Sequence, residues 1–120
     1  MSRDHTKLKV FELADELVLE VYRTTVCFPP EERYGLQAQM RRAAVRTASN
    51  LVEGCARRTT SDFLHFVTMS LGSASEVRYQ ITIASRLGFI DQDPATSIHR
   101  RYDELVRGLQ ALISSLEGKD

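Results

Sequence analysis

The chain is 120 residues long, 42% hydrophobic and 27% charged, with a formal net charge of zero. That length and composition suit one domain and leave no room for two. The neutral balance excludes a globally basic nucleic-acid binder, so any contact with a polyanion must come from local segregation of charge.

Cys27 and Cys55 are the only cysteines, and neither belongs to a CxxC or a Cys/His cluster. No disulfide framework and no zinc site is indicated, and both are expected to be buried thiols. Residues 1–7 lack the apolar core of a signal peptide, and no segment has the apolar length of a membrane span, so a cytoplasmic location is expected.

Residues 1–6 are polar and are expected to form a flexible N-terminus. Phe11, Ala14, Val18, Val21 and Thr25 then recur at helical spacing, with Leu17 and Tyr22 beside them, and predict a first helix. Its acids, Glu12, Asp15, Glu16 and Glu20, lie away from that stripe and read as a solvated face or, alternatively, as a docking face for arginines. Phe28-Pro29-Pro30 stops the helix, because proline lacks the amide hydrogen and restricts the residue before it. Pro30, Glu31 and Glu32 suit the start of the next helix.

The second helix, drawn from the stretch Tyr34 to Arg58, has three faces. Leu36, Met40, Ala43, Thr47 and Leu51 share one stripe and should be core. Gln39, Arg42, Arg46, Ser49 and Glu53 share another. Val45, Ala48 and Val52, with Arg41 at the edge, form an apolar strip roughly opposite the first. The helix is expected to end near Gly54 by a left-handed glycine. Between Arg33 and Arg58 stand six arginines (33, 41, 42, 46, 57 and 58) and one acid, Glu53, so this segment is where basic charge collects.

Thr59 and Asp62 have capping-box spacing for a third helix. Its core seam is Phe63, Val67, Ser70, Ala74, Val77, Ile81 and Ala84, and the small residues Gly72, Ser73 and Ala74 predict a tight helix crossing. Leu87-Gly88-Phe89-Ile90 closes it, and Asp93-Pro94 reads as an N-cap with proline at the first helical position. The fourth helix keeps Ile98, Tyr102, Leu105, Leu109, Leu112 and Leu116 in four-three spacing, and residues 117–120 are a polar tail. With no strand pattern and short connections, the expected fold is all-α, an antiparallel up-down-up-down four-helix bundle forming a single domain over residues 1–120.

The segments Phe28-Pro29-Pro30-Glu31-Glu32-Arg33-Tyr34-Gly35-Leu36, Gln39-Met40-Arg41-Arg42-Ala43-Ala44-Val45, Asn50-Leu51-Val52-Glu53-Gly54 and Gly72-Ser73-Ala74-Ser75-Glu76, in this order, resemble the 23S rRNA intervening-sequence family of four-helix-bundle proteins. The resemblance runs from about Val10 to Leu116. Arg46 stands where the family pattern usually has serine, and Ala48 where it often has proline. The resemblance implies a homo-oligomer, a pentamer in members of known structure. Genes of such proteins sit inside inserts of ribosomal RNA genes, and relatives of the same bundle act as accessory factors to a reverse transcriptase.

Arg41, Arg42, Arg46, Arg57 and Arg58 are the candidate nucleic-acid contacts, since guanidinium forks match phosphate oxygens. The competing reading is structural pairing with the acids of the first helix, with Glu53 or with Glu76. No stacking aromatics interleave with these arginines in the sequence, which points to backbone or shape recognition. Asp62 and His65 share a helical face, but a di-iron bundle needs a second such pair and further inward carboxylates that the core stripes lack. No metal, cofactor, catalytic group or small-molecule substrate is therefore indicated. The expected function is a non-enzymatic, homo-oligomeric interaction protein holding RNA or DNA by its backbone; the alternatives are a scaffold without nucleic acid and, behind it, an enzyme or metal-binding bundle. Val45, Ala48 and Val52 are the expected oligomer interface, because a contiguous exposed apolar strip marks a contact surface.

Overall fold

The computed structural model describes residues 3–118, in which four helices, α1 (Lys9–Thr25), α2 (Leu36–Cys55), α3 (Thr60–Arg86) and α4 (Gln92–Glu117), enclose one apolar core. No strand occurs among the described residues, and no helix is long and apolar enough to cross a membrane. α1 packs on α2 and α4, and α3 packs on the same two helices from the other side. Contacts run in opposite senses along each pair. Gln37 reaches Thr25 while Arg41 reaches Tyr22, Ser70 reaches Thr47 while Arg57 reaches Phe66, and Arg101 reaches Glu20 while Gly108 lies against Val10, so α2 runs antiparallel to α1 and α3, and α4 to α1. The result is a bundle 47 Å long and 23 by 19 Å across.

The heptad-like spacing of α3 and α4 translates directly into burial. Phe63, Val67, Ser70, Ala74, Val77, Ile81 and Ala84 are buried, as are Ile98, Tyr102, Leu105, Leu109 and Leu116, with Leu112 half-buried. On α1 the buried line is Ala14, Leu17, Val21 and Thr25, while Phe11 and Val18 are only partly covered. Burial pushes the Tyr102 hydroxyl well above the usual phenol range.

Helix ends account for most departures from expectation. Pro30–Glu32 forms a separate 3-10 turn, and Glu32 reaches forward to accept from the Leu36 amide at 2.9 Å, so α2 starts later than its proline suggests. Gly54 lies inside α2 with an ordinary backbone; its lack of a side chain matters for packing, since a Cβ there would sit 2.8 Å from Phe66 Cβ and 3.3 Å from Phe63 Cδ1. Gly88, at φ 77°, is the left-handed glycine that closes α3. Thr59 accepts from the Asp62 amide at 3.0 Å, as its spacing implied. The cap of α4 is Asp91, two residues earlier than expected, and Pro94 sits in the first turn, where no amide donor is required.

One further expectation is corrected. Cys55 is buried and its thiol is pushed up by burial, but Cys27 is exposed in the α1–α2 connection, its Sγ donating to Thr24 O at 3.3 Å. Residues 3–6 are engaged. Asp4 accepts from the Thr6 amide and hydroxyl, which lowers its pKa, and Arg3 donates its backbone amide to Cys55 O while its guanidinium lies 4.2 Å above the Phe63 ring. Cation–π contact and a spare carbonyl at the end of α2 hold this segment, and neither is visible in its polar composition. Residues 1–2 of the expected flexible N-terminus and 119–120 of the polar tail lie outside the described residues.

Gly54 and Gly72 give opposite expected outcomes. Gly54→Ala should destabilise the protein by about 1–3 kcal/mol through overpacking against Phe66. Gly72→Ala, with nothing within 4 Å of its would-be Cβ, should stabilise by roughly 0.5–1 kcal/mol through helix propensity. Urea unfolding of the two variants checks both signs.

Candidate nucleic-acid interface

The five candidate arginines do not form one surface. Arg41 is a bracket between helices: its guanidinium lies 4.5 Å above the Tyr22 ring, its Nε donates to Thr25 Oγ1 at 2.9 Å and its Nη2 to Tyr22 O at 3.2 Å. Gln37 Nε2 adds a bond to Thr25 O at 2.8 Å. The last turn of α1 has carbonyls with no intrahelical partner and a partial negative charge, and α2 supplies donors and a cation to it.

Arg46 pairs with Glu76 of α3 at 3.1 Å, both half-exposed, and Arg57 pairs with Glu53 at 3.6 Å while lying 4.6 Å above the Phe66 ring. Arg58 is exposed in the α2–α3 connection. The acids of α1 also find arginine, but not on α2: Glu16 and Glu20 both pair with Arg101 of α4, and Glu12 and Asp15 are exposed. Exposed pairs of this kind contribute ~0–1 kcal/mol each, so they occupy arginines without fixing the fold.

Arg42 is different. It is exposed and makes no hydrogen bond or ion pair among the described residues. With Arg33 and Arg41 it lines a groove of about 460 Å³ at the N-terminal end of α2, whose other walls are Tyr22, Val26, Tyr34, Gln37 and Ala38. No carboxylate lines it. Tyr34 is 86% exposed, and Tyr22 forms the floor under Arg41. Arginines and aromatics are therefore interleaved, contrary to the sequence expectation. Tyr22 comes from another helix and Tyr34 from the turn before α2, and the one available signal was Arg33-Tyr34 directly ahead of the arginine helix. Arg57 and Arg58 stand at the other end of α2, roughly 20 Å away at 1.5 Å per residue, close to the Arg3 segment.

The apolar strip is also redrawn. Val45 and Val52 are exposed, at 41% and 37%, but Ala48 is buried at 8% because it lies on the edge of α2 that turns into the bundle. What continues the strip comes from α1, where Leu19, Tyr22 and Val26 share an exposed line at spacings of three and four. In the antiparallel pair, Leu19 lies one turn back from Tyr22 and Val45 one turn on from Arg41, so they stand at similar height.

Among the described residues no three His, Cys, Asp or Glu side chains gather to hold a metal ion. Asp62 and His65 are exposed with no such third partner.

The family model described as 23S rRNA-intervening sequence protein matches residues 6–111. The crystal structure of a protein of unknown function from the S23 ribosomal protein family, from Bacteroides thetaiotaomicron, superposes with a TM-score of 0.78 at 20% identity, covering 87% of this chain and 97% of that one. This likeness concerns the fold. No curated protein matches.

Replacement of Arg41 and Arg42 by alanine should separate their roles. Arg41→Ala should cost about 1.5–3 kcal/mol, the range for hydrogen bonds from a charged group, whereas Arg42→Ala should stay within about 0.5 kcal/mol. Thermal or urea unfolding measures the difference.

Proposed function

The chain belongs to the 23S rRNA-intervening sequence protein family, and from that premise we propose that it is a non-enzymatic, homo-oligomeric interaction protein that holds RNA by its backbone through the groove of Arg33, Arg41 and Arg42. The supporting observation is the lining of that groove: three guanidiniums and two tyrosines with no carboxylate among them. Each guanidinium can present a fork to phosphate oxygens, and Arg41 is already immobilised by α1, so little of its freedom is lost on binding. Tyr34 offers an exposed ring on which a single-stranded base can stack without regard to sequence. The family's association with ribosomal RNA inserts makes RNA the polyanion of choice.

Self-association rests on the outward line of Val45 and Val52 with Leu19 beside it, an apolar strip on a molecule whose core is already complete. A ring of copies, five by family resemblance, would repeat the groove once per protomer, and weak phosphate contacts would then act together. A scaffold without nucleic acid is the second reading; the engagement of Arg41, Arg46 and Arg57 within the protein favours it.

Titration of a structured RNA at several salt concentrations separates the two. The Arg33→Glu, Arg42→Glu double variant should bind more weakly, with a salt slope shallower by about 0.7–0.9 for each lost phosphate contact. Absence of salt-sensitive binding by the wild type would leave the scaffold. Light scattering on Val45→Asp, Val52→Asp should show a lower mass than the wild type; a wild type that is monomeric at micromolar concentration removes the oligomer.

A further inference from the structure

A second groove, of about 470 Å³, lies on the opposite side of the bundle, between the C-terminal part of α3 and the N-terminal part of α4. We propose that it is a binding site for a small phosphate monoester. Its volume falls within the roughly 300–1,000 Å³ typical of ligand clefts. Ile81 and Ala95, both buried in the bundle, give it an apolar base. Around that base stand Thr82, Ser85, Gln92, Thr96 and His99, with Arg86 and Arg100 on opposite helices.

Three features select the ligand chemistry. First, Arg86 and Arg100 are exposed and meet no carboxylate among the described residues, so two uncommitted guanidiniums converge on one concavity. Second, the single carboxylate lining the groove, Asp103, is already occupied: Arg78 Nη1 donates to its Oδ1 at 3.1 Å, and His99 Nδ1 lies 3.4 Å from its Oδ2. The local charge therefore stays positive, and the Nδ1 side of the His99 ring is the side that meets Asp103. Third, the Ser85 hydroxyl makes no hydrogen bond among the described residues and can donate to an oxyanion.

A phosphate monoester has three terminal acceptor oxygens and close to two negative charges at neutral pH, matching two forks and a hydroxyl; a carboxylate has two oxygens and one charge. The organic group of the ester would lie on Ile81 and Ala95. A nucleic-acid phosphodiester carries one charge and a chain at both ends, which this groove between two helices suits less well. The site belongs to the α3–α4 side and does not depend on the RNA reading of the α1–α2 groove.

Phenyl phosphate, inorganic phosphate and phenol, titrated separately into 15N-labelled full-length protein, test the assignment. Phenyl phosphate should cause saturable amide shifts confined to residues 81–86 and 92–103, phosphate should bind at least several-fold more weakly, and phenol should cause none. The Arg86→Glu, Arg100→Glu variant, with unchanged circular dichroism, should lose affinity at least tenfold; if that variant does not fold, Ser85→Ala should weaken binding several-fold, and Arg33→Glu, Arg42→Glu should leave it unchanged. No saturation up to roughly 10 mM, equal binding of phosphate and phenyl phosphate, or equal shifts around Arg42 would overturn the proposal. Competitive displacement of phenyl phosphate by structured RNA would also overturn it, by making the groove part of a polynucleotide surface.

Discussion

The close approach of α2 to α3 is the constraint on which the rest depends. Ser70 donates to the carbonyl of Thr47 at 2.7 Å inside the core, a bond from one helix to the backbone of the next. Small residues accompany it: Ala43 on the same side of α2, Ser73 one turn on from Ser70 on α3, and Gly54 against the phenyl rings of Phe63 and Phe66. Thr47 satisfies its own hydroxyl by donating to Ala43 O, so no buried donor is left unpaired at the crossing. The buried arc of α2 then runs from Met40 through Ala43, Ala44, Thr47, Ala48 and Leu51 to Cys55, and what remains for the outside is Gln39, Arg42, Val45, Arg46, Ser49, Val52 and Glu53.

Rotation of α2 about its axis, set at that crossing, distributes the arginines. The edge turned toward α1 carries Arg41, which caps the end of α1; the edge turned toward α3 carries Arg46, which meets Glu76. Arg42 falls between them and reaches neither. A segment rich in one charge thus becomes a set of brackets with an uncommitted guanidinium beside them, and the contrast in environment follows from helical rotation, with Arg42 about 100° from Arg41 and about 40° from Arg46.

Both grooves lie at the same end of the bundle, where Phe28 of the α1–α2 connection packs against Phe89 of the α3–α4 connection with ring centroids 5.5 Å apart. Each groove lies between two antiparallel helices near their connection. Cationic side chains line both grooves. The other end is closed by Arg3, which lies over Phe63 and donates to the last carbonyl of α2.

Much of the fold was legible in the sequence. Four-three spacing in α3 and α4, the Thr59 cap and Gly88 specified helices, their core faces and their ends, because those features depend on local geometry that the chain carries wherever it goes. Gly54 and Pro94 misled, since a glycine that terminates and a glycine that makes room look alike until the neighbour, Phe66, is in place. The site was less legible. Composition located the arginine-rich segment, but the union of Tyr22, Tyr34, Arg33 and Arg42, the burial of Ala48, and the pairing of Glu16 and Glu20 with Arg101 all join residues from separate elements. The sequence by itself determined which residues are helical and which stripe of each helix is apolar. Only the tertiary structure decided which charges neutralise one another and which remain outward, because that follows from interhelical distance and rotation, quantities carried by packing between helices and by no single one of them.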